Sequence, residues 1–110
     1  MKNNDKNKDF FTKVYEIVRQ IPEGKVTTYG AIATAVGIKS SARMVGWALN
    51  AVAGDMSIPC HRVINRNGEL SGKNYFATPN MMQEMLESEG IKVIENRIDL
   101  QEYFWVPEIQ

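Results

Sequence analysis

Residues 27–52, TTYGAIATAVGIKSSARMVGWALNAV, decide the fold of this chain. They predict two short helices joined by a tight loop. The first helix is expected over residues 29–36, because Thr27 or Thr28 can accept hydrogen bonds from its first turn and Gly37 can end it.

The second helix is predicted from Ala42 to Val52, with Ser40 or Ser41 as its cap. One face is an apolar stripe of Val45, Ala48, Leu49 and Val52. The opposite face carries residues at offsets of three, four and seven: Arg43, Gly46, Trp47 and Asn50. This pattern is typical of helix-turn-helix DNA-binding domains and also of small helical bundles.

The flanking segments extend this helical pair. A helix over residues 10–20 precedes it, with Asp9 as its cap. After the pair, residues 56–64 are expected to be extended, residues 65–68 to form a hairpin turn and residues 69–71 to return. A hairpin that follows a helix-turn-helix indicates a winged helix.

The last third of the chain predicts another helix and a second hairpin. Residues 78–90 open with Thr-Pro as cap and first residue and close at a glycine. Residues 93–100 predict the hairpin, residues 99–102 resemble a capping box, and the aromatic residues 103–105 are expected to seal the core.

The predicted fold class is α+β, mainly α: a winged helix-turn-helix DNA-binding domain with a short hairpin wing. A chain of 110 residues fits one domain. We expect that domain to span residues 9–107, and the polar residues 1–8 to form a disordered N-terminal arm. A monomer is expected.

The composition narrows the class of protein. Net charge is zero, but residues 20–75 carry six Lys or Arg and three Asp or Glu, whereas residues 76–110 carry two and seven. A basic face with an acidic back is compatible with DNA binding, although ordinary solvated charges give the same counts. The single cysteine excludes an internal disulfide and fits a reducing compartment. With neither a signal peptide nor a membrane span expected, the predicted location is the cytoplasm.

The only cysteine and the only histidine, Cys60 and His61, are adjacent. A free thiol has a pKa near ~8.5, so a reactive Cys60 needs a base or a positive field. Neighbouring side chains of an extended segment point to opposite sides, so a bridging water would carry the proton to His61. Glu89, on an apolar helix face, needs a partner, and His61 is the obvious candidate. The alternatives are a buried thiol beside a surface histidine, and a glutamate that bends out to water.

Four segments, in this order, resemble the O6-alkylguanine-DNA alkyltransferases. They are residues 21–30 (IPEGKVTTYG), 42–49 (ARMVGWAL), 58–63 (IPCHRV, the acceptor-cysteine motif) and 86–90 (LESEG). The resemblance covers residues 10–90. It implies a winged helix-turn-helix whose second helix enters the minor groove, with the damaged guanine flipped out to the cysteine.

The resemblance also implies roles. Cys60 would accept the alkyl group, His61 would take the thiol proton through water, and Glu89 would orient the imidazole. Arg43 would fill the gap that the flipped nucleotide leaves, and Tyr29 would help to rotate the base. The implied DNA-binding residues are Tyr29, Ser41, Arg43, Gly46 and Trp47. The implied lesion pocket comprises Pro59, Val63, Ser71 and Gly72.

The sequence departs from the family pattern at several points. Val52 stands where an asparagine usually braces the active-site loop, eight residues before Cys60, and Trp47 stands at a usually small position. After Gly68 the usual tyrosine over the alkyl group is out of register, and no N-terminal accessory domain is expected. These features and the aromatic-proline tail resemble the alkyltransferase-like proteins, which flip the base without removing the alkyl group. In those proteins the cysteine is usually replaced, whereas this chain keeps it.

The sequence therefore predicts a DNA repair protein that binds duplex DNA, flips O6-alkylguanine and transfers the alkyl group irreversibly to Cys60. The alternative is a non-catalytic sensor that hands the lesion to nucleotide excision repair proteins. A second alternative is a winged-helix regulator that reads undamaged sequence. Neither a metal nor an organic cofactor is expected, because zinc-ligand spacing and a glycine-rich phosphate loop are both missing.

Overall fold

The computed structural model describes residues 6–37 and 40–108, which form a mainly helical fold with a small sheet. The helices are α1 (Lys6–Gln20), α2 (Tyr29–Val36), α3 (Ala42–Asn50), α4 (Met81–Ser88) and α5 (Leu100–Tyr103); the strands are β1 (Thr27–Thr28) and β2 (Val63–Ile64). The prediction of an α+β, mainly α fold is confirmed at this level. Of the predicted N-terminal arm, residues 1–5 lie outside the described residues.

The helix-turn-helix segment forms as its capping residues dictate. The Thr28 side chain accepts a hydrogen bond from the Ala31 N–H at 3.1 Å and caps α2. Ser41 does the same for α3, accepting from the Met44 N–H at 3.2 Å. Gly37, at φ 101°, ends α2 where predicted, because a residue without Cβ adopts this backbone conformation freely.

Helix boundaries away from these caps were predicted less well. α1 begins at Lys6, so Asp9 lies inside it and is not its cap. α3 ends at Asn50, two residues before the predicted Val52. α4 begins at Met81, because Thr78 accepts from the Met81 N–H in a turn that precedes the helix.

The first three helices enclose one hydrophobic core, the helical core. Its buried residues from α1 are Phe10, Val14, Ile17 and Val18, and those from α3 are Val45, Ala48 and Leu49. The predicted apolar stripe of α3 is thus confirmed, with Val52 packed against the core as a partly buried residue. The opposite face of α3 is left to solvent.

The two strands join this core to a second one. β1 and β2 pair in parallel, with Thr27 opposite Val63 and Thr28 opposite Ile64. Successive residues of a strand point to opposite faces, so Val63 enters the helical core and Ile64 enters the second core. The second core comprises Val26, Ile64, Leu70, Met82, Leu86, Ile91 and Ile98. This pairing ties the segment after Cys60 to the start of α2.

The prediction that residues 56–64 are extended is wrong. The Asp55 carboxylate accepts from the Ser57 N–H at 2.9 Å and starts a turn. The backbone ψ of 69° at Pro59 then leads into a one-turn 3-10 helix, Cys60–Arg62, closed by the Arg62 N–H donating to the Pro59 carbonyl at 3.0 Å. Only Val63–Ile64 is a strand.

The two predicted hairpin turns both form. In the first, the Gly68 N–H donates to the Asn65 carbonyl at 2.9 Å. The returning segment pairs across the turn only where the Asn65 N–H donates to the Glu69 carbonyl at 3.1 Å, and Glu69 then makes an antiparallel bridge with Arg97. In the second, Ile94 bridges Arg97 across two residues with positive φ.

Residues 99–105 pack the C-terminal segment against both cores. Asp99 caps α5 by accepting from the Gln101 N–H at 2.9 Å. The Trp105 N–H donates to the Val26 carbonyl at 2.7 Å, and its ring packs on the helical core, while Tyr103 packs on the second core. The prediction that Phe104 also seals the core is wrong, since its side chain is exposed. Among the described helices, none is long and apolar enough to cross a membrane.

Candidate functional site

Cys60 is a buried thiol at the edge of the helical core. Its residue exposure is 8%, and its Sγ lies 4.0 Å from the Leu49 carbonyl oxygen of α3. Burial, with a smaller contribution from the negative charge of Asp55, raises the pKa of Cys60 to about 11. The resting thiol is therefore protonated at neutral pH and needs a base before it can act as a nucleophile.

A buried carboxylate, Glu89, holds both residues that follow the cysteine. Its Oε2 lies 2.6 Å from Nε2 of His61. Arg62 donates to the same carboxylate from Nε, at 3.0 and 3.1 Å, and from Nη2, at 2.8 Å. The Gly24 N–H adds a fourth donor at 3.0 Å. We call His61, Arg62, Glu89 and the Gly24 N–H the carboxylate network.

The carboxylate network fixes the protonation of its members. Burial alone would raise the pKa of Glu89, but the donors, Arg62 foremost, lower it to about 2. The ionised carboxylate accepts from Nε2–H of His61, which leaves Nδ1 as a free acceptor. Burial lowers the pKa of His61 despite its contact with Glu89, so the imidazole is neutral and able to take a proton.

The prediction that Glu89 pairs with His61 is matched by the contact, whereas Arg62 was missed. In an extended segment, two adjacent side chains point apart and could not both reach one carboxylate. The 3-10 turn at Cys60–Arg62 brings them to the same side. The signal in the sequence was Arg62 itself, because a charged residue directly after the buried Cys60 and His61 needs a partner as much as the histidine does.

A cavity of about 380 Å³ opens beside the outer face of α3. It lies between α3 and the loop before α4, and Tyr29 of α2 contributes to its wall. Five predicted site residues line it: Tyr29, Arg43, Gly46, Trp47 and Ser71. Tyr75, which was not predicted, lines it too. We call this the α3 cavity.

The corner of the α3 cavity near Gly72 is tightly packed. A Cβ at Gly72 would lie 2.9 Å from the Tyr29 hydroxyl oxygen and 3.6 Å from Cδ2 of the Tyr75 ring. Burial raises the pKa of Tyr29, partly offset by a hydrogen bond with the Ser71 side chain, and the neighbouring acidic groups of Tyr75 and Cys60 add to the rise. Tyr29 therefore keeps its proton at neutral pH.

The remaining predicted residues do not line the α3 cavity. Ser41 caps α3, and Val63 is fully buried in the helical core. Pro59 is half-buried before the thiol. Cys60 itself does not line the cavity and is buried in the helical core.

Comparison with known proteins identifies the family. Residues 9–91 match the DNA-binding domain of 6-O-methylguanine DNA methyltransferase. The chain belongs to this family. It is 41% identical to alkyltransferase-like protein 1 of Schizosaccharomyces pombe, over 90% of this chain and 96% of that protein. It is 38% identical to the DNA base-flipping protein of Escherichia coli, over 92% of this chain and 78% of that protein.

A solved structure agrees with the sequence match. S. pombe Atl1, in complex with damaged DNA containing O6-carboxymethylguanine, superposes with a TM-score of 0.81, at 40% identity and over 91% of this chain and 97% of that chain. The methylated-DNA–protein-cysteine methyltransferase of Methanosarcina acetivorans is 37% identical, but the match covers 51% of that protein. The match therefore spans nearly all of the S. pombe protein and about half of the methyltransferase.

Two departures from the family pattern can now be placed. Trp47 projects from the outer face of α3 and is 59% exposed. Val52 lies in the turn after α3, where its N–H donates to the Leu49 carbonyl and its side chain packs on the helical core. A valine side chain has no polar atom, so it offers the loop before Cys60 apolar contact without a side-chain hydrogen bond.

Among the described residues there is no group of His, Cys, Asp and Glu that could hold a metal ion.

Proposed function

We propose that this protein binds duplex DNA that carries an O6-alkylated guanine and holds the damaged base outside the helix. The observation that carries the proposal is the α3 cavity, which brings Arg43 and Tyr29 to the wall of one concave site. Support comes from the S. pombe relative in complex with DNA containing O6-carboxymethylguanine and from relatives named DNA base-flipping proteins.

In the proposed complex, α3 acts as the recognition helix of a winged helix-turn-helix, and the turn at residues 65–68 acts as the wing. Arg43, near the start of α3, enters the stack in place of the flipped nucleotide, and Tyr29 presses on the strand that rotates. Flipping costs a few kcal/mol and less for a mispaired base, which favours the lesion over intact guanine. Residues 9–107 would act as one DNA-binding domain in the cytoplasm.

A second candidate function is transfer of the alkyl group to Cys60, which the carboxylate network favours. Neutral His61 would take the thiol proton through water. The thiolate would then form a C–S bond with the alkyl carbon as the C–O6 bond breaks, and guanine would leave and recover the proton. The thioether cannot turn over, so each molecule would act once. The high pKa of Cys60, about 11, predicts a slow reaction.

The test of binding uses two duplexes that differ only in one O6-methylguanine. We expect wild type and Cys60→Ala to prefer the lesion duplex equally, because binding does not need the thiol. Arg43→Ala should lose that preference by at least about tenfold, as expected for removal of a group worth roughly 1.4 kcal/mol. Equal binding of both duplexes by wild type would refute the proposal, and so would undiminished preference in Arg43→Ala.

Intact mass after incubation with the lesion duplex decides the second function. Transfer would add the mass of one methylene to wild type and nothing to Cys60→Ala. Its rate should rise as the pH is raised from 7 to 9, because more thiol ionises below a pKa of about 11. Lesion binding with unchanged mass at every pH would leave a sensor, for which excision repair proteins would be the next partners.

A further inference from the structure

Two large aromatic side chains of the α3 cavity are not used by either hydrophobic core. Trp47 is 59% exposed and Tyr75 is 45% exposed, yet both line the same cavity. They come from different segments: Trp47 from the middle of α3, and Tyr75 from the one-turn 3-10 helix Lys73–Tyr75. Aromatic rings left in water at a concave site mark a place where a ligand is bound.

Both rings stand on a backbone that the fold holds in place. The inner face of α3 is buried through Val45, Ala48 and Leu49, so the Cα of Trp47 cannot withdraw from the cavity. The Tyr75 N–H donates to the Gly72 carbonyl at 3.0 Å, and the Tyr75 ring packs beside Gly72. The α3 cavity is therefore lined by one ring from α3 and one from the loop before α4.

The chemistry of this site suits a planar base. A cavity of about 380 Å³ lies within the range of small-molecule pockets, roughly 300–1,000 Å³. Flipped bases are held by stacking between aromatic or apolar side chains, and stacking accepts every base because each has a π-face. Arg43, the residue proposed to fill the gap that the flipped nucleotide leaves, lines the same cavity.

We infer that Trp47 and Tyr75 are the stacking residues that retain the extrahelical alkylguanine at the mouth of the α3 cavity. This inference rests on the proposed lesion binding and adds the residues that hold the base after flipping. Retention by two rings does not depend on Cys60. Because stacking is insensitive to base identity, selectivity would come from the lower cost of flipping a mispaired lesion.

The test compares ring-removing with ring-keeping substitutions in the full chain. Trp47→Ala and Tyr75→Ala should each weaken binding of an O6-methylguanine duplex about 5- to 140-fold, the equivalent of roughly 1–3 kcal/mol per stacked base. Trp47→Phe and Tyr75→Phe should retain most of the affinity. Phe104→Ala, which removes another exposed ring away from this cavity, should bind as wild type does.

A direct readout uses the fact that the chain has two tryptophans, Trp47 and Trp105. In a Trp105→Phe background, Trp47 is the sole indole, and stacking on a base should quench its emission more with the lesion duplex than with the undamaged one. Unchanged emission at saturation, or wild-type affinity in both alanine variants, would overturn the inference. If wild type itself does not prefer the lesion, the proposed function fails first.

Discussion

The carboxylate network and the α3 cavity are built in opposite ways. In the network, Glu89 accepts hydrogen bonds from His61, Arg62 and the Gly24 N–H, and its side chain is 9% exposed. In the cavity, Trp47 and Tyr75 are exposed and present their rings to solvent.

This difference indicates that the carboxylate network stabilises the fold, whereas the exposed rings of the α3 cavity serve ligand binding. Glu89 and Arg62 compensate each other's charge in the network, so removing either one leaves the other without its ion-pair partner. The cavity rings have no comparable internal partners, so removing them should spare the fold and affect only what binds. Three predictions test this distinction between the network and the cavity, in order from the largest expected effect on stability to the smallest.

Glu89→Ala should give the largest loss of stability. It leaves the Arg62 charge half-buried without its carboxylate, and breaking a buried ion pair costs about 3–5 kcal/mol. The free energy of unfolding, from urea titration, measures this loss. Glu69→Ala is the matched control. The Arg97 side chain of the Glu69–Arg97 pair is 60% exposed, so this surface pair should contribute little to stability. Equal losses in the two variants would show that the network is no more important to the fold than a surface pair.

The network also predicts that stability falls as the pH is lowered. The folded pKa of Glu89, about 2, is below its unfolded value of 4.5, so its contribution is present above pH 4.5 and lost as the pH falls towards 2. The folded pKa of His61 is lowered from 6.5, so below that pH only the unfolded chain takes up the proton readily, and stability falls there too.

Urea titrations of wild type and Glu89→Gln at pH 7, 5 and 3 measure this dependence. Other carboxylates contribute alike to both proteins. The decline between pH 5 and 3 should therefore be shallower in Glu89→Gln. Parallel declines would mean that Glu89 titrates in the folded protein as it does in an unfolded chain.

The sequence predicted local features well and long-range ones partly. The bounds of α2 were predictable because Thr28 and Gly37 act within one turn of the residues that they cap. The contact between His61 and Glu89 was predictable too, because a glutamate on an apolar stripe needs a partner and the chain has one histidine.

What the sequence did not predict depends on contacts between distant segments. The parallel pairing of Thr27 with Val63 joins residues far apart in the chain, and no local sequence pattern predicts it. The 3-10 turn at Cys60–Arg62 lets the adjacent His61 and Arg62 both donate hydrogen bonds to the Glu89 carboxylate. The local pattern around Pro59 favoured an extended segment instead. Tyr75 was missed because its place at the cavity follows from packing beside Gly72.

Gly72→Ala should have the smallest effect on stability and a larger one on binding. The new Cβ would lie 2.9 Å from the Tyr29 hydroxyl, too close to be tolerated without a shift, and overpacking typically costs about 1–3 kcal/mol. Two effects reduce that cost. The hydroxyl is the end of a flexible side chain, and alanine at φ −90° gains about 0.4–1 kcal/mol from a less flexible unfolded chain.

We therefore expect Gly72→Ala to lose about 1 kcal/mol or less in urea titration. Its affinity for the O6-methylguanine duplex should fall further, because the Tyr29 hydroxyl must move away from the glycine, whereas the Tyr75 ring, 3.6 Å from the new Cβ, is at ordinary contact distance. Gly46→Ala is the control on the opposite wall, where an added Cβ meets no atom within 4 Å in the free protein and should not reduce stability. Full lesion affinity in Gly72→Ala would show that the position of the Tyr29 hydroxyl does not limit binding.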